Sequence, residues 1–334
     1  MVKARYPDFW GVSGGLARLL LPLSGLYCGL VAARRGAYRL GLRRPEWPTA
    51  PVVVVGNLTV GGTGKTPLVV WLAREAQALG YAPGVILRGH GGRARGPTRV
   101  SAASDPACVG DEAVLIARRT GVPVVIGRHR AAAAQALLAD HQVDLLISDD
   151  GLQHLRLGRD AEVVVVDARR GLGNRYCLPA GPLREPASRL RRADLVISNG
   201  GPWPGATGSF ALVAEDLRAV QTDTRPPPKP GTTVHGVAGI GHPERFFATL
   251  AGMGFEVCPH AFPDHHVYQR EDLAFTPPAP VIMTEKDAVK CRDIAPPNSW
   301  YVPVRAQPDA ATAAQLKTLL QALPDRAKRR FRHV

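Results

Sequence analysis

The sequence predicts an α/β protein, a doubly wound and mostly parallel sheet followed by a second, smaller α/β domain. Three observations carry this. Short β-branched runs recur at residues 52–55, 84–89, 123–127, 143–150, 161–168 and 193–199. They are apolar throughout instead of alternating, as strands covered on both faces are. Helical patterns fall between several of them, notably at 67–80, 111–120 and 129–141, and strands alternating with helices build a doubly wound sheet. Beyond a turn-rich stretch at 200–208 and a proline-rich connector at 225–231, a strand–turn–helix pattern starts again at residue 232. The expected units are an N-terminal helical segment (1–45), a core domain (46–205) and a C-terminal domain (206–334). The basic tail from Arg326 onward reads as a solvated end.

With 334 residues, 45% hydrophobic and 21% charged, the chain is long enough to bury one large or two moderate cores. A formal net charge of +14 favours an anionic partner. Nucleic acid, anionic lipid and a phosphorylated substrate all qualify, and charge does not choose among them. Cys28, Cys108, Cys177, Cys258 and Cys291 lack any C-x-x-C spacing and are odd in number, so reduced thiols are expected in place of a disulfide framework or a zinc site. No run reaches the ~18 apolar residues of a membrane span. Residues 8–40 do mix leucine-rich turns with Arg18, Arg34, Arg35 and Arg39. That suits a helix lying in the interface of an anionic leaflet, and equally a helix packed on the domain. Spacing does not separate the two.

The chemistry centres on residues 57–66, NLTVGGTGKT. Gly61, Gly62 and Gly64 let backbone N–H groups converge on phosphate oxygens at a helix N-terminus. Lys65 would reach the β- and γ-phosphates, and the Thr66 hydroxyl would ligate Mg²⁺. A strand before and a helix after complete the signature of a P-loop NTPase-like sheet. One position departs: the pattern G-x-x-x-x-G-K-[ST] places a glycine where Thr59 stands, and the double glycine at 61 and 62 is where the lost flexibility is expected to return.

Such a site needs an acid at the end of a neighbouring buried strand. Asp149 and Asp150 are favoured over Asp167 because Gly151, Gln153 and His154 follow them, too polar a cluster for a plain loop. Asp111 opens a helix, either as a first-turn acid or as the residue that accepts a proton from an attacking hydroxyl. Asp264, His265 and His266 suggest an Asp–His pair for proton handling more than a metal clip, since adjacent strand residues face opposite ways.

Taken together, GNLTVGGTGKTP at 56–67, RGHGGRARG at 88–96, GDEA at 110–113, SDDGLQH at 148–154, LPAGPLREP at 178–186, FPDHHVY at 262–268 and TEKDAVK at 284–290 form an ordered set. It resembles the tetraacyldisaccharide 4'-kinases of lipid A biosynthesis. The resemblance implies transfer of the γ-phosphate of ATP, with Mg²⁺, to the 4'-hydroxyl of tetraacyldisaccharide 1-phosphate, giving lipid IVA. It places Thr59, Val60, Gly61, Gly62, Thr63, Gly64, Lys65 and Thr66 on the nucleotide loop, in a family that likewise lacks the first glycine. It makes Asp111 the catalytic base, assisted by His265, puts Asp150 and Glu185 with Thr66 near the magnesium, and puts Arg184 near the nucleotide. His90 stands where the family pattern has tyrosine. The implied partners are the lipid A disaccharide and an anionic membrane surface, with the protein peripheral or monotopic at the cytoplasmic face of the bacterial inner membrane. Neither nucleic acid nor an obligate protein partner is expected.

Overall fold

The computed structural model describes residues 7–12, 14–221 and 225–330. The N-terminal part forms α1 (Leu16–Leu19) and α2 (Leu21–Arg39). The core follows as β1 (Val52–Gly56), α3 (Lys65–Ala78), β2 (Pro83–Leu87), β3 (Thr98–Val100), α4 (Pro106–Val109), α5 (Asp111–Thr120), β4 (Val124–Ile126), α6 (Arg130–Asp140), β5 (Leu145–Asp149), β6 (Ala161–Asp167) and β7 (Leu195–Asn199). Next come β8 (Gly208–Ala214), β9 (Arg218–Ala219), β10 (Thr233–Ala238), α7 (Pro243–Gly252), β11 (Glu256–Ala261) and β12 (Val281–Thr284). The chain ends with α8 (Glu285–Cys291), β13 (Ser299–Val302), β14 (Val304–Pro308) and α9 (Ala310–Arg330).

The larger sheet has nine strands in the order β14-β8-β7-β6-β1-β5-β2-β4-β3. Its interior is parallel, and β14 and β3 run antiparallel at the edges. Every β-branched run marked in the sequence is one of these strands. In β1 the alternation is visible: Val53 and Val55 pack with α3, α5 and α9, whereas Val52 and Val54 pack with α6 on the opposite face. The strand order reverses direction around β1, and in such sheets ligands sit beyond the carboxyl ends of strands at that reversal. The smaller sheet, β11-β10-β12-β13-β9, is parallel except for the β9 edge.

The expected break at residue 206 does not coincide with the division between the sheets. β8 pairs parallel with β7, and β14 pairs antiparallel with β8, so residues 208–214 and the last stretch from β14 onward belong with the larger sheet. The turn-rich stretch at 200–207 joins neighbouring strands of one sheet, and its composition is the same as that of a linker. Ion pairs tie the two units together: Arg245 Nη1 lies 2.8 Å from Asp167 Oδ2, and Arg119 Nη1 lies 2.6 Å from Glu215 and 3.6 Å from Glu285.

The basic end is solvated at Lys328 and Arg329, as expected, but not at Arg326 and Arg330. α9 runs to Arg330; Arg326 pairs with Asp194, and Arg330 Nη1 lies 2.9 Å from Asp160 Oδ2 while its guanidinium stacks 4.8 Å above the Trp47 ring. Residues 331–334 of the tail lie outside the described residues. At the other end, α2 packs one face on the domain and leaves another face exposed. Ser24 is buried and donates to Cys177 O at 2.8 Å, and Tyr27 donates to Arg184 O at 2.9 Å. On the opposite face Leu23, Leu26 and Leu30 are exposed, as is Leu19 of α1. No helix among the described residues is long and apolar enough to cross a membrane.

Asp160 is buried and accepts from both Val52 N and Arg330. Replacing Arg330 with alanine removes one of two bonds to a charged acceptor and is expected to cost about 2 kcal/mol. Urea denaturation measures this directly, and an unchanged midpoint would show that the helix end contributes nothing.

Candidate active site

The nucleotide loop begins where β1 ends, and its shape is fixed by side chains inside it and on both sides. Asn57 is fully buried. Its Nδ2 donates to Thr59 O at 2.9 Å and Gly61 O at 3.2 Å, and its Oδ1 accepts from Lys65 Nζ at 3.1 Å. The first half of the loop is pinned by the 178–186 segment: Thr59 forms an antiparallel bridge with Leu183, Val60 N donates to Pro182 O at 2.9 Å, and Arg184 N donates to Leu58 O at 2.7 Å. The far half is pinned by Asn199, which donates to Thr63 O at 3.1 Å, and by Arg170, which donates to Gly62 O.

This explains the missing glycine. Thr59 is held in an extended bridge that any residue can adopt, and the left-handed turns are made at Gly61 (φ 97°) and Gly64 (φ 82°). Gly62 does not take positive φ.

The two acids at the tip of β5 have separate surroundings. Thr66 Oγ1 donates to Asp149 Oδ2 at 3.0 Å, and the other Asp149 oxygen is buried without a partner. Burial, with Glu112 and Asp150 close by, pushes the Asp149 carboxyl up to about 7 against the pull of Lys65. Asp150 turns the other way, at φ 49°, and meets Lys65 Nζ at 3.4 Å and Arg184 Nη1 at 3.2 Å. Burial would raise its pKa, but Lys65 and Arg184 outweigh this and hold it at about 2. Arg130, almost wholly buried nearby, donates to Gly127 O at 2.7 Å. Burial lowers its guanidinium to about 10, while Asp150 and Asp149 pull it up. Glu185 lies behind this layer. It accepts from Gln153 Nε2 at 3.1 Å, and its other oxygen is 2.8 Å from Arg35 and 3.6 Å from Arg189, so it faces arginines of its own and not the loop.

Asp111 opens α5 with its side chain buried. Oδ1 accepts from Glu112 N at 2.9 Å, Oδ2 lies 3.3 Å from His265 Nδ1, and Lys286 Nζ is 3.8 Å away. Burial alone would raise the Asp111 carboxyl; His265 and Lys286 reverse this and hold it at about 2. Lys286 in turn lies 3.5 Å from Glu112 and 3.3 Å from Asp264, and these carboxylates with Asp111 raise its pKa although burial opposes them. The His90 ring stands 5.0 Å from His265, edge to face, and its pKa is lowered by burial and then by His265. Close packing of the turns fixes the place of Asp111: a Cβ on Gly110 would come 2.7 Å from His90 O, and one on Gly92 would come 2.5 Å from Cys108 O.

The structure thus brings together the loop, Asp149, Asp150 and Arg184 on one side, and Asp111 with His265 on the other. Glu112 joins the halves, being next to Asp111 and close enough to Asp149 to raise its pKa. Asn57 and Lys286 stood in the sequence only as members of NLTVGGTGKT and TEKDAVK, with no role of their own, and Arg130, Arg170 and Asn199 were given no role.

A glycine loop bonded at a helix N-terminus, an acid pair under its lysine and threonine, and an ionised aspartate facing a histidine define a P-loop phosphotransferase. Comparison with known proteins narrows this. A family model described as Tetraacyldisaccharide-1-P 4'-kinase matches residues 16–322. The tetraacyldisaccharide 4'-kinase of Alkalilimnicola ehrlichii is 57% identical over 92% of this chain and 93% of its own. That of Nitrosococcus oceani is 53% identical over 91% and 90%. A solved structure of the "apo" form of LpxK from Aquifex aeolicus in complex with ATP superposes with a TM-score of 0.74 at 26% identity, covering 92% of this chain and 99% of that one. The chain belongs to the tetraacyldisaccharide 4'-kinase family and is a kinase.

The Asp149 pKa lies above that of an unfolded aspartate, so its contribution to stability is full below the ordinary 3.8 and is lost as pH rises through about 7. In nucleotide-free protein, Asp149→Asn removes that loss while keeping an acceptor for Thr66. The variant is expected to melt about 2–4 °C higher than the parent at pH 8, with the gap shrinking toward pH 5. A melting difference that does not vary with pH would refute this ionisation.

Proposed function

We propose that this chain transfers the γ-phosphate of ATP to the 4'-hydroxyl of tetraacyldisaccharide 1-phosphate, forming lipid IVA. The observation that carries the reading is the ionised Asp111, held by His265 and Lys286 and linked through Glu112 to the acid pair beneath the nucleotide loop. Phosphoryl transfer asks a protein mainly to position its reactants and neutralise charge. Lys65 and the N–H groups of residues 61–66 suit the β- and γ-phosphates, with Arg184 beside them. Asp111 is already unprotonated and accepts the proton of the attacking hydroxyl. His265 orients Asp111, and Lys286 balances the local negative charge.

Magnesium fits the residues present. Asp149 has an orphaned buried oxygen and a carboxyl that its neighbours discourage from ionising, both of which a cation relieves. Thr66, Asp149 and Asp150 would hold it. No group of three or more His, Cys, Asp or Glu converges on a metal position among the described residues, in keeping with an ion that takes one or two carboxylates and substrate phosphates. Magnesium held there would supply neutralisation of the phosphate charge. Glu185 acts at a distance through Gln153; direct contact with the metal would require it to leave Arg35 and Arg189.

The exposed leucines of α2, at 55%, 64% and 64% for Leu23, Leu26 and Leu30, suit an anionic membrane surface at the cytoplasmic face of the inner membrane, where the acceptor lipid resides. The charge of +14 then serves lipid and phosphate instead of nucleic acid, and no obligate protein partner is invoked.

With Mg-ATP and tetraacyldisaccharide 1-phosphate, purified protein is expected to yield the 4'-phosphorylated product. Lys65→Ala and Asp111→Ala should each slow turnover by about 10²–10⁴-fold, with a circular dichroism spectrum like the parent's showing that the fold is retained. Radiolabel transfer that stays at background for the intact protein would overturn the assignment. Separately, the triple change Leu23→Ser, Leu26→Ser, Leu30→Ser should abolish co-sedimentation with phosphatidylglycerol vesicles, and retention equal to the parent would place the membrane contact elsewhere.

A further inference from the structure

The 3-10 turn Ala187–Arg192 packs against α2 and leaves a cavity of about 320 Å³ between them. Five guanidinium groups line it, Arg35, Arg39, Arg189, Arg191 and Arg192, with Ser188 among them. Two acids answer these charges. Arg35 lies 2.8 Å from Glu185; Arg189 pairs with Glu162 and has its Nε 3.6 Å from Glu185. Among the described residues no acid pairs with Arg39, Arg191 or Arg192, so five positive groups face two negative ones. Arg189 is only 4% exposed, and its Nη1 is buried without a hydrogen-bond partner. Crowding of like charge is costly, and a tetrahedral oxyanion in the cavity relieves it. Neither Lys65 nor any other residue of the nucleotide loop lines the cavity.

We propose that this cavity is a second anion site, separate from the nucleotide loop, which binds a phosphate group through Arg39, Arg189, Arg191 and Arg192. Guanidinium forks match phosphate oxygens two at a time, and five of them exceed what packing of a surface turn requires. The volume accommodates a phosphate with a small substituent, which admits a soluble phosphate ester or a lipid headgroup. Its neighbours lead back to the catalytic side: Arg35 and Arg189 hold Glu185, which accepts from Gln153, which also donates to Asn57 O in the loop.

The test uses the full chain with saturating Mg-ADP, so that the nucleotide loop is filled. Inorganic phosphate is titrated at constant ionic strength against chloride, and binding is read by calorimetry. Arg191 and Arg192 are exposed and lie outside the catalytic machinery, so R191A/R192A is expected to fold as the parent does and to bind phosphate about tenfold more weakly. R270A/R292A removes the same charge from the exposed surface of the smaller unit and should bind as the parent does. Equal weakening in both variants, an unaffected R191A/R192A, or no phosphate binding by the parent would each overturn the proposal. Co-sedimentation with phosphatidylglycerol vesicles then separates the sources. Selective loss for R191A/R192A assigns the site to a lipid headgroup, whereas unchanged sedimentation beside weakened phosphate binding assigns it to a soluble ester.

Discussion

Two carboxylates side by side at the end of a strand buried on both faces set the terms for the rest of the molecule. β5 must bury Asp149, and the turn that follows places Asp150 beside it, so the two negative charges can coexist only if their surroundings separate them. The left-handed backbone of Asp150 makes the separation. It sends one carboxylate to Lys65 and Arg184 and leaves the other facing Thr66. A non-glycine residue in that region costs about 1–2 kcal/mol and persists only where neighbours fix it. They do so here: Asn57 holds Lys65, and the backbone of Arg184 is bonded to the start of the loop. The loop, the tip of β5 and the 178–186 segment are therefore one hydrogen-bonded block.

What was legible in the sequence follows from how local its cause is. The strands of the larger sheet were legible because burial on both faces demands uninterrupted β-branched runs, and Gly64, Lys65 and Thr66 because a phosphate loop needs them in contact along the chain. Thr59 looked like a fault because its reason is non-local, the bridge to Leu183. The turns at 200–207 were read as a boundary because glycine and proline mark any change of direction, within a sheet as much as between domains. Adjacent Asp149 and Asp150 could not be assigned different partners from sequence, since a single φ angle decides between them. Lys286 was seen only as part of a motif; the Glu112 it meets is 174 positions away. Arg330 was taken for a solvated end because the buried acid that holds it is on another element.

The proposed base is assembled from both units. Asp111 belongs to the larger sheet, whereas His265 and Lys286 come from the smaller one. Without His265 and Lys286 beside it, a carboxylate so buried would be pushed toward its protonated form and could not accept a proton. Docking of the smaller unit is thus a condition for the ionised state of Asp111 and not a cover added to it. The Arg245–Asp167 pair lies at the tip of β6, beside the Arg170 that bonds Gly62, so the same docking also braces the loop.

α2 adds the remaining constraint. An amphipathic helix held to its domain by apolar contact alone could slide when its outer face met lipid. This one is bonded through Ser24 to Cys177, through Tyr27 to Arg184 and through Arg35 to Glu185. All three partners lie on or beside the 178–186 segment, which also pins the nucleotide loop and reaches Asp150. The leucine face and the phosphate-binding loop are consequently mounted on the same short stretch of chain. On the proposed membrane contact of the leucine face, the helix would fix the height and orientation of the loop, and the proposed base Asp111 would meet an acceptor lipid at the surface.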